Sequence, residues 1–275
     1  MADAVDRLLG LLELERAGDD CFRVDNPDPG YGNRVFGGQV AAQAIRAAVA
    51  TVDPDRWPHS LHAYFIRPGR PGVPILFDVE RTRDGRSFAT RRVVARQDEV
   101  VIFEMSTSLH VAERAVDYQM PLPAGVPGPD AASTRVSFIP DEAQDRLPVD
   151  MRELGAAEPD DDGWFASTRR VWMKVKRTIP DDPLLHVCVL TFLSDMGAVM
   201  GARAPVPGQP IGRLMAASLD HAVWFHRPIR ADEWFFYDLH AVSNAGARGL
   251  ARGTMHAVDG TLGASVAQEA LLRVL

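Results

Sequence analysis

The chain has 275 residues, 46% of them hydrophobic and 24% charged, enough for one large domain or two of ordinary size. A mean hydropathy of -0.10 and the lack of a long uncharged apolar run exclude a transmembrane helix, and membrane insertion is not expected. A net charge of -7 with no basic block argues against nucleic acid as a partner. Cys21 and Cys188 form neither a metal-binding pattern nor a disulfide framework, and Cys188 reads as core packing. The N-terminus, MADAVDRLLGLLELERAGDD, is amphipathic and acidic and lacks the basic start and apolar core of a signal peptide, so a cytoplasmic protein is expected.

In chain order, Val5, Leu8, Leu9, Leu11, Leu12 and Leu14 supply an apolar stripe that predicts a surface helix over 4–16. Cys21 to Val24 fits a short strand, and NPDPGYGNRVFGG, at 26–38, is loop. Gly37 and Gly38 open a second helix, GQVAAQAIRAAVATV, whose small side chains let other elements approach closely. A glycine-started helix offers free N–H groups to an anion or a polarised carbonyl. A tight turn that needs glycine for its φ angle explains the pair equally well. Four strands follow, at 59–69, 73–85, 87–97 and 99–111, the middle two paired as a hairpin across Asp84-Gly85. One helix followed by an antiparallel sheet predicts an α+β unit in which the sheet wraps the helix.

Residues 112–160 are proline-, glycine- and acid-rich and read as a connecting arm with a helical turn or two. From Trp164 the pattern restarts with a strand around STRRVWMKVKRT, then DPLLHVCVLTFLSDMG at 182–197. There Asp182 suits a helix cap, Pro183 its first position and Gly197 its stop. The intervening Leu184, Leu185, Val187, Cys188, Val189, Leu190, Phe192, Leu193 and Met196 fall on every side, which predicts a buried helix. Asp195 in its last turn sits at the negative end of the helix dipole, a costly place for a charge and a useful one for a general base. A frayed helix end that exposes Asp195 to water is the plainer alternative. A loop, APVPGQPIG, and four strands complete the chain.

The second series repeats the first. HAYFIRP at 62–68 returns as HAVWFHRP at 221–228, and the Asp84-Gly85 turn has its counterpart at Asn244-Ala245-Gly246, with an offset of about 160 residues. Two copies of helix plus sheet predict a duplicated fold whose sheets join edge to edge, hiding edges that would otherwise aggregate.

RVFGGQVAAQA, SLHAYFIRPG, VERTRDGRSFATRRVVARQ, SLDHAVWFHRP and the closing VAQEALLR, in that order from about residue 20 to the end, resemble the acyl-CoA thioesterase II (TesB-type) family. The resemblance implies a double hotdog fold: an N-terminal hotdog over 1–111, the arm over 112–160 and a C-terminal hotdog over 161–275 that carries the catalytic residues. It implies hydrolysis of acyl-CoA to a fatty acid and free coenzyme A, as part of lipid metabolism, with no cofactor. By motif position the family's aspartate is Asp195 of LSD, its hydroxyl is Ser218, where threonine is frequent, and its glutamine is Gln268 of AQE. These residues orient and activate water without a covalent acyl-enzyme. No metal is implied, and a homo-oligomer, dimer or tetramer, is expected.

Side-chain alternation bears on that carry-over. Period 2 puts Ser218, Asp220, Ala222 and Trp224 on one strand face, and Val266, Gln268, Ala270 and Leu272 on another, so Gln268 is expected to point inward. His62 and His221 are equivalent in the repeat and are read as sharing a structural role, and Asp220 is second to Asp195 as base. Arg86, Ser87 and Phe88, after the Asp84-Gly85 turn, are candidates for binding coenzyme A, since an arginine can meet a phosphate and an aromatic ring can meet adenine. An ordinary exposed hairpin end competes with that reading. Two other functions compete: a catalytically silent acyl-CoA-binding protein, which intact Asp195 and Gln268 argue against, and a double-hotdog enoyl-CoA hydratase. The hydratase pattern of aspartate with histidine five positions on is absent, because Met200 and Phe225 stand there.

Overall fold

The computed structural model describes residues 3–27, 33–134, 136–137, 139, 141–154, 169–203 and 214–275. Part of the expected loop at 26–38, the start of the second unit at 161–168 and the APVPGQPIG loop lie outside the described residues. In order the elements are α1 (Ala4–Gly10), β1 (Glu15–Gly18), β2 (Cys21–Val24), α2 (Gly37–Val49), β3 (Arg56–Phe65), β4 (Ile75–Asp84), β5 (Phe88–Gln97) and β6 (Val100–Val111). Then come a 3-10 turn at Pro129–Ala131, α3 (Asp141–Gln144), β7 (Val149–Glu153), β8 (Arg169–Val175), α4 (Pro183–Ser194) and α5 (Ala198–Gly201). The chain closes with β9 (Leu214–Ser218), β10 (Asp220–Phe225), β11 (Phe235–Ala245), β12 (Arg248–Ala257) and β13 (Leu262–Val274).

The strands form one 13-stranded antiparallel sheet in the order β1-β2-β4-β5-β6-β3-β10-β13-β12-β11-β8-β7, with β9 also on β13. The order β4-β5-β6-β3 is mirrored by β10-β13-β12-β11, as the repeat predicts. The two copies join where the repeated motifs lie: Ala63 pairs with His221, and His62 with Ala222, across β3 and β10. Each run of strands curls around one helix, α2 or α4, which gives the α+β double hotdog.

The helices suit their place. Ala41, Ala42, Ala44, Ile45, Ala47 and Ala48 of α2 are all fully buried. Their small side chains let α2 lie close to both the sheet and α4. α4 is buried on every side from Cys188 to its end at Ser194, as its all-round apolar pattern predicts, while Leu184, Leu185 and Val187 in its first turns are half-buried.

Two expectations change. The helix predicted over 4–16 stops at Gly10, because Glu15–Val24 pairs as the β1–β2 hairpin instead. Its start is a capping box, in which Asp3 accepts from the Asp6 N–H at 2.7 Å. The stretch 112–160 also does more than connect. The Trp172 indole donates to the Pro127 carbonyl at 2.9 Å, and Gln119 bonds Gly260 and Leu262, so this segment roofs the outer face of the C-terminal sheet. Val149–Glu153 of the same stretch adds an edge strand to β8.

One buried cation fixes the far end of α2. Arg91 of β5 points inward and is 0% exposed. It donates to the Thr51 hydroxyl at 2.8 Å and carbonyl at 3.1 Å, to the carbonyls of Arg83 and Thr90 at 3.0 Å, and to Asp84 at 2.7 Å. Replacing it would strand the buried Thr51 groups, so Arg91→Leu is expected to cost about 3 kcal/mol. Urea unfolding should show a lower midpoint with an unchanged slope, while turnover is retained; an unchanged midpoint would refute the anchoring role.

Candidate active site

The site forms where α4 ends. Asp182 caps the helix start, accepting from the Leu184 N–H at 2.9 Å, with Pro183 in the first position. The other end leaves the helix through Asp195, the C-cap, and Gly197, whose φ of 81° is left-handed. No frayed, exposed end results, for Asp195 is 5% exposed. Its carboxylate faces the negative end of its own helix, but α2 of the other half aims its positive end at the same point. The Gly38 N–H donates to Asp195 Oδ2 at 2.8 Å.

The glycine pair makes that contact possible. Neither Gly37 nor Gly38 has a positive φ, so turn conformation is not their reason. A Cβ on Gly37 would stand 2.8 Å from Asp195 Oδ2 and 2.6 Å from the Phe65 ring. One on Gly38 would stand 2.4 Å from the Phe192 carbonyl oxygen. Glycine is required here for close approach of backbone to carboxylate.

Two strands bring the remaining groups. The Ser218 hydroxyl donates to Asp195 Oδ1 at 3.3 Å, and Gln268 Nε2 donates to Ser218 Oγ at 2.9 Å. Gln268 is buried on the inner face of β13 with Val266 and Ala270, as alternation predicts. Alternation fails for Ser218. Ser218 pairs with Ala270 on β13, yet Ala222 pairs with Ala267, so one extra residue is accommodated between β9 and β10. This bulge turns Ser218 onto the same side as His221 and Val223, away from Asp220, Ala222 and Trp224. Asp220 accepts the Glu269 N–H at 2.6 Å and pins the bulge, so it is not part of the site.

The polar cluster extends further than the motifs indicate. His221 Nδ1 lies 2.6 Å from Gln268 Oε1, and its Nε2 lies 2.7 Å from the Ser194 hydroxyl. The Tyr237 hydroxyl donates to the Ser194 carbonyl at 2.7 Å. Burial holds the His221 imidazole below its usual pKa despite the opposing pull of Asp195, Gln268 and Asp220. Burial, aided by the Asp195 charge, pushes the Tyr237 phenol well above its usual value. His221 was visible in the sequence as a motif histidine, and Gly38 as a helix-opening glycine; Ser194 and Tyr237 carried no signal of their own. The shared role expected for His62 and His221 does not hold, since His62 is exposed, edge-on to the Trp224 ring, while His221 is buried.

Arg86, Ser87 and Phe88 are not brought to this site. Phe88 stacks on His110 at the tip of the β4–β5 hairpin, and the Arg86 carbonyl accepts from Arg56, just past the C-terminal end of α2. The Asp195–Ser218–Gln268 cluster is at the N-terminal end of that helix, whose 13 residues span about 18 Å. Among the described residues no three His, Cys, Asp or Glu are grouped to hold a metal ion.

Two family models match the chain: one described as acyl-CoA thioesterase N-terminal domain, over residues 26–110, and one described as acyl-CoA thioesterase, over residues 152–271. The chain is 34% identical to Acyl-CoA thioesterase 2 of Haemophilus influenzae over 286 residues, covering 99% of each sequence. It is 39% identical to the crystal structure of an acyl-CoA thioesterase II, TesB2, from Mycobacterium marinum, with a TM-score of 0.83 and 98% of both chains covered. A conserved protein of unknown function with a hot dog fold, from Alicyclobacillus acidocaldarius, shares the fold at 19% identity, with a TM-score of 0.78 over 98% of both chains.

The Gly38 contact is open to test. Gly38→Ala must push α2 away from the Phe192 carbonyl, at an expected cost of about 2 kcal/mol. The same shift withdraws the N–H from Asp195, so turnover should fall by about tenfold or more along with the thermal midpoint. An alanine variant with unaltered midpoint and turnover would show that the two helix ends need not meet.

Proposed function

The chain belongs to the acyl-CoA thioesterase II, TesB-type, family, and from that premise we propose how its residues carry the reaction. It hydrolyses acyl-CoA thioesters to a free acid and coenzyme A. In the proposed reading the N-terminal unit, 1–111, contributes Gly38, and the C-terminal unit, 161–275, contributes Asp195, Ser218 and Gln268. The observation that carries it is the unbroken contact from the Gly38 N–H through Asp195 and Ser218 to Gln268, at the junction of the two units, with Ser218 half-buried between the buried Asp195 and Gln268.

Water attacks the thioester carbonyl carbon directly. Asp195 accepts the proton that the water loses, and Gln268 and Ser218 hold the water in line. Both Ser218 hydrogen-bonding roles are used, as acceptor from Gln268 and donor to Asp195, so its hydroxyl cannot rotate freely. The N-terminus of α2, beside Asp195, offers its positive end to the oxyanion of the tetrahedral intermediate. When that intermediate collapses the C–S bond breaks, and Asp195 returns the proton to the departing thiolate. The relatives give no support to a silent binding protein or a hydratase.

The setting follows from the same reading. Both cysteines are free, which suits a reducing, cytoplasmic compartment. Among the described residues no helix is long and apolar enough to cross a membrane. The outer face of the N-terminal sheet and the junction beside it leave Trp57, Tyr64, Phe88 and Trp224 exposed, whereas residues 117–131 roof the C-terminal sheet. A homo-oligomer that covers this face is part of the proposal. Light scattering at micromolar concentration should give a multiple of the 30.1 kDa chain mass; a monomer mass would remove it.

The catalytic reading rests first on Asp195. Asp195→Asn keeps an acceptor for the Gly38 N–H and removes the base, so kcat should drop by about a hundredfold or more with circular dichroism unchanged. Coenzyme A release from an acyl-CoA, followed with a thiol reagent, measures it. Near-normal turnover would place the base elsewhere.

A further inference from the structure

Behind Gln268 the buried polar row continues to a histidine that the attack on the thioester does not itself use. His221 is 0% exposed, between Gln268 Oε1 at 2.6 Å and the Ser194 hydroxyl at 2.7 Å. Ser194 is chain neighbour to Asp195, so the row begins and ends on one turn of α4: Ser194, His221, Gln268, Ser218, Asp195. The Tyr237 hydroxyl on the Ser194 carbonyl holds that turn in place.

An amide side chain has two orientations of nearly equal shape. With its nitrogen toward Ser218, Gln268 donates to the serine, and the serine proton remains available for Asp195. Turned over, the amide oxygen would take that proton and Asp195 would lose the donor. His221 decides between them. With Oε1 toward the ring, an atom that can only accept, the imidazole carries its proton on Nδ1. Nε2 is then an acceptor for the Ser194 hydroxyl. The Ser194 hydroxyl also stands in donor geometry to the Thr191 carbonyl at 2.8 Å, and with a proton on Nε2 its single proton goes there, the order that fits the overturned amide. The row thus has two self-consistent proton orders, and only one delivers a donor to the carboxylate, which is acceptor-only when ionised.

We propose that His221, as the Nδ1–H tautomer, is a positioning residue that holds the Gln268 amide with its nitrogen toward Ser218, so that every donor in the row points at Asp195. The proposal rests on the catalytic reading of Asp195, Ser218 and Gln268. Burial of His221 favours the neutral ring that it requires.

Two substitutions separate orientation from packing. Asparagine at 221 carries its amide nitrogen near the place of Nδ1, whereas glutamine reaches the place of Nε2. His221→Asn should keep kcat within about threefold of wild type, while His221→Gln should lower it by about tenfold or more, with KM changed by less than about twofold in both. In a Gln268→Ala background His221→Gln should cost nothing further, because the histidine acts through the glutamine. Nitrogen-15 spectra of histidine-labelled wild-type protein, with the His221 signals identified by their loss in His221→Asn, should show a protonated Nδ1 and a bare Nε2 at neutral pH. Equal losses in the two single variants, or additive losses in the double variant, would overturn the proposal. So would an Nε2–H ring or an imidazolium, a result that stands even where His221→Gln or the double variant does not fold. Full turnover by Gln268→Ala alone would refute the catalytic reading, while the tautomer would still report on orientation.

Discussion

The contact between the Gly38 N–H and Asp195 is the constraint on which the site depends. A carboxylate that is 5% exposed at the end of its own helix is an expensive arrangement unless something offsets the dipole and the lost water. The offset comes from the other half of the molecule, at 2.8 Å. Gly37 and Gly38 are glycines because any side chain there would collide with Asp195, Phe65 or the Phe192 carbonyl. The duplicated fold therefore does more than double a stable unit. It sets the start of one central helix against the end of the other, and the proposed site sits at that junction.

Joining the two sheets at β3 and β10 fixes the rest of the geometry. The repeated His-Ala pairs oppose one another there, which sets the register of β10 and through it that of β13. The bulge between Ser218 and Ala222 is the local departure that matters. Without it, Ser218 would lie on the face with Asp220 and Trp224, away from Asp195. Asp220 holds the bulge through the Glu269 N–H, so an acid that looks like a catalytic candidate serves the backbone instead.

Placing glutamine, histidine and serine side by side in an apolar interior has a cost only if partners are missing. In the row from Ser194 to Asp195 each side chain supplies what its neighbour needs. Arg91 solves the same problem at the opposite end of α2 with five donated hydrogen bonds. The helix is thus held at both ends by polar contacts and along its length by alanine packing.

The sequence by itself determined the repeated helix-and-sheet architecture, the buried α4 with its cap and stop, and the inward face of Gln268. These are local matters of period and capping, in which apolar spacing acts within a few residues. It also placed Asp195, Ser218 and Gln268 through the family motifs. Only the tertiary structure decided that Gly38 reaches across to Asp195, since that contact joins residues 157 apart. It alone decided that a bulge reverses the facing of Ser218, because a register shift is a property of two strands and not of one. Strand pairing sets the hairpin at Arg86 to Phe88 by the C-terminal end of α2, apart from Asp195, which no local pattern could show. Side-chain type is written along the chain; which distant backbone group meets it is set by packing.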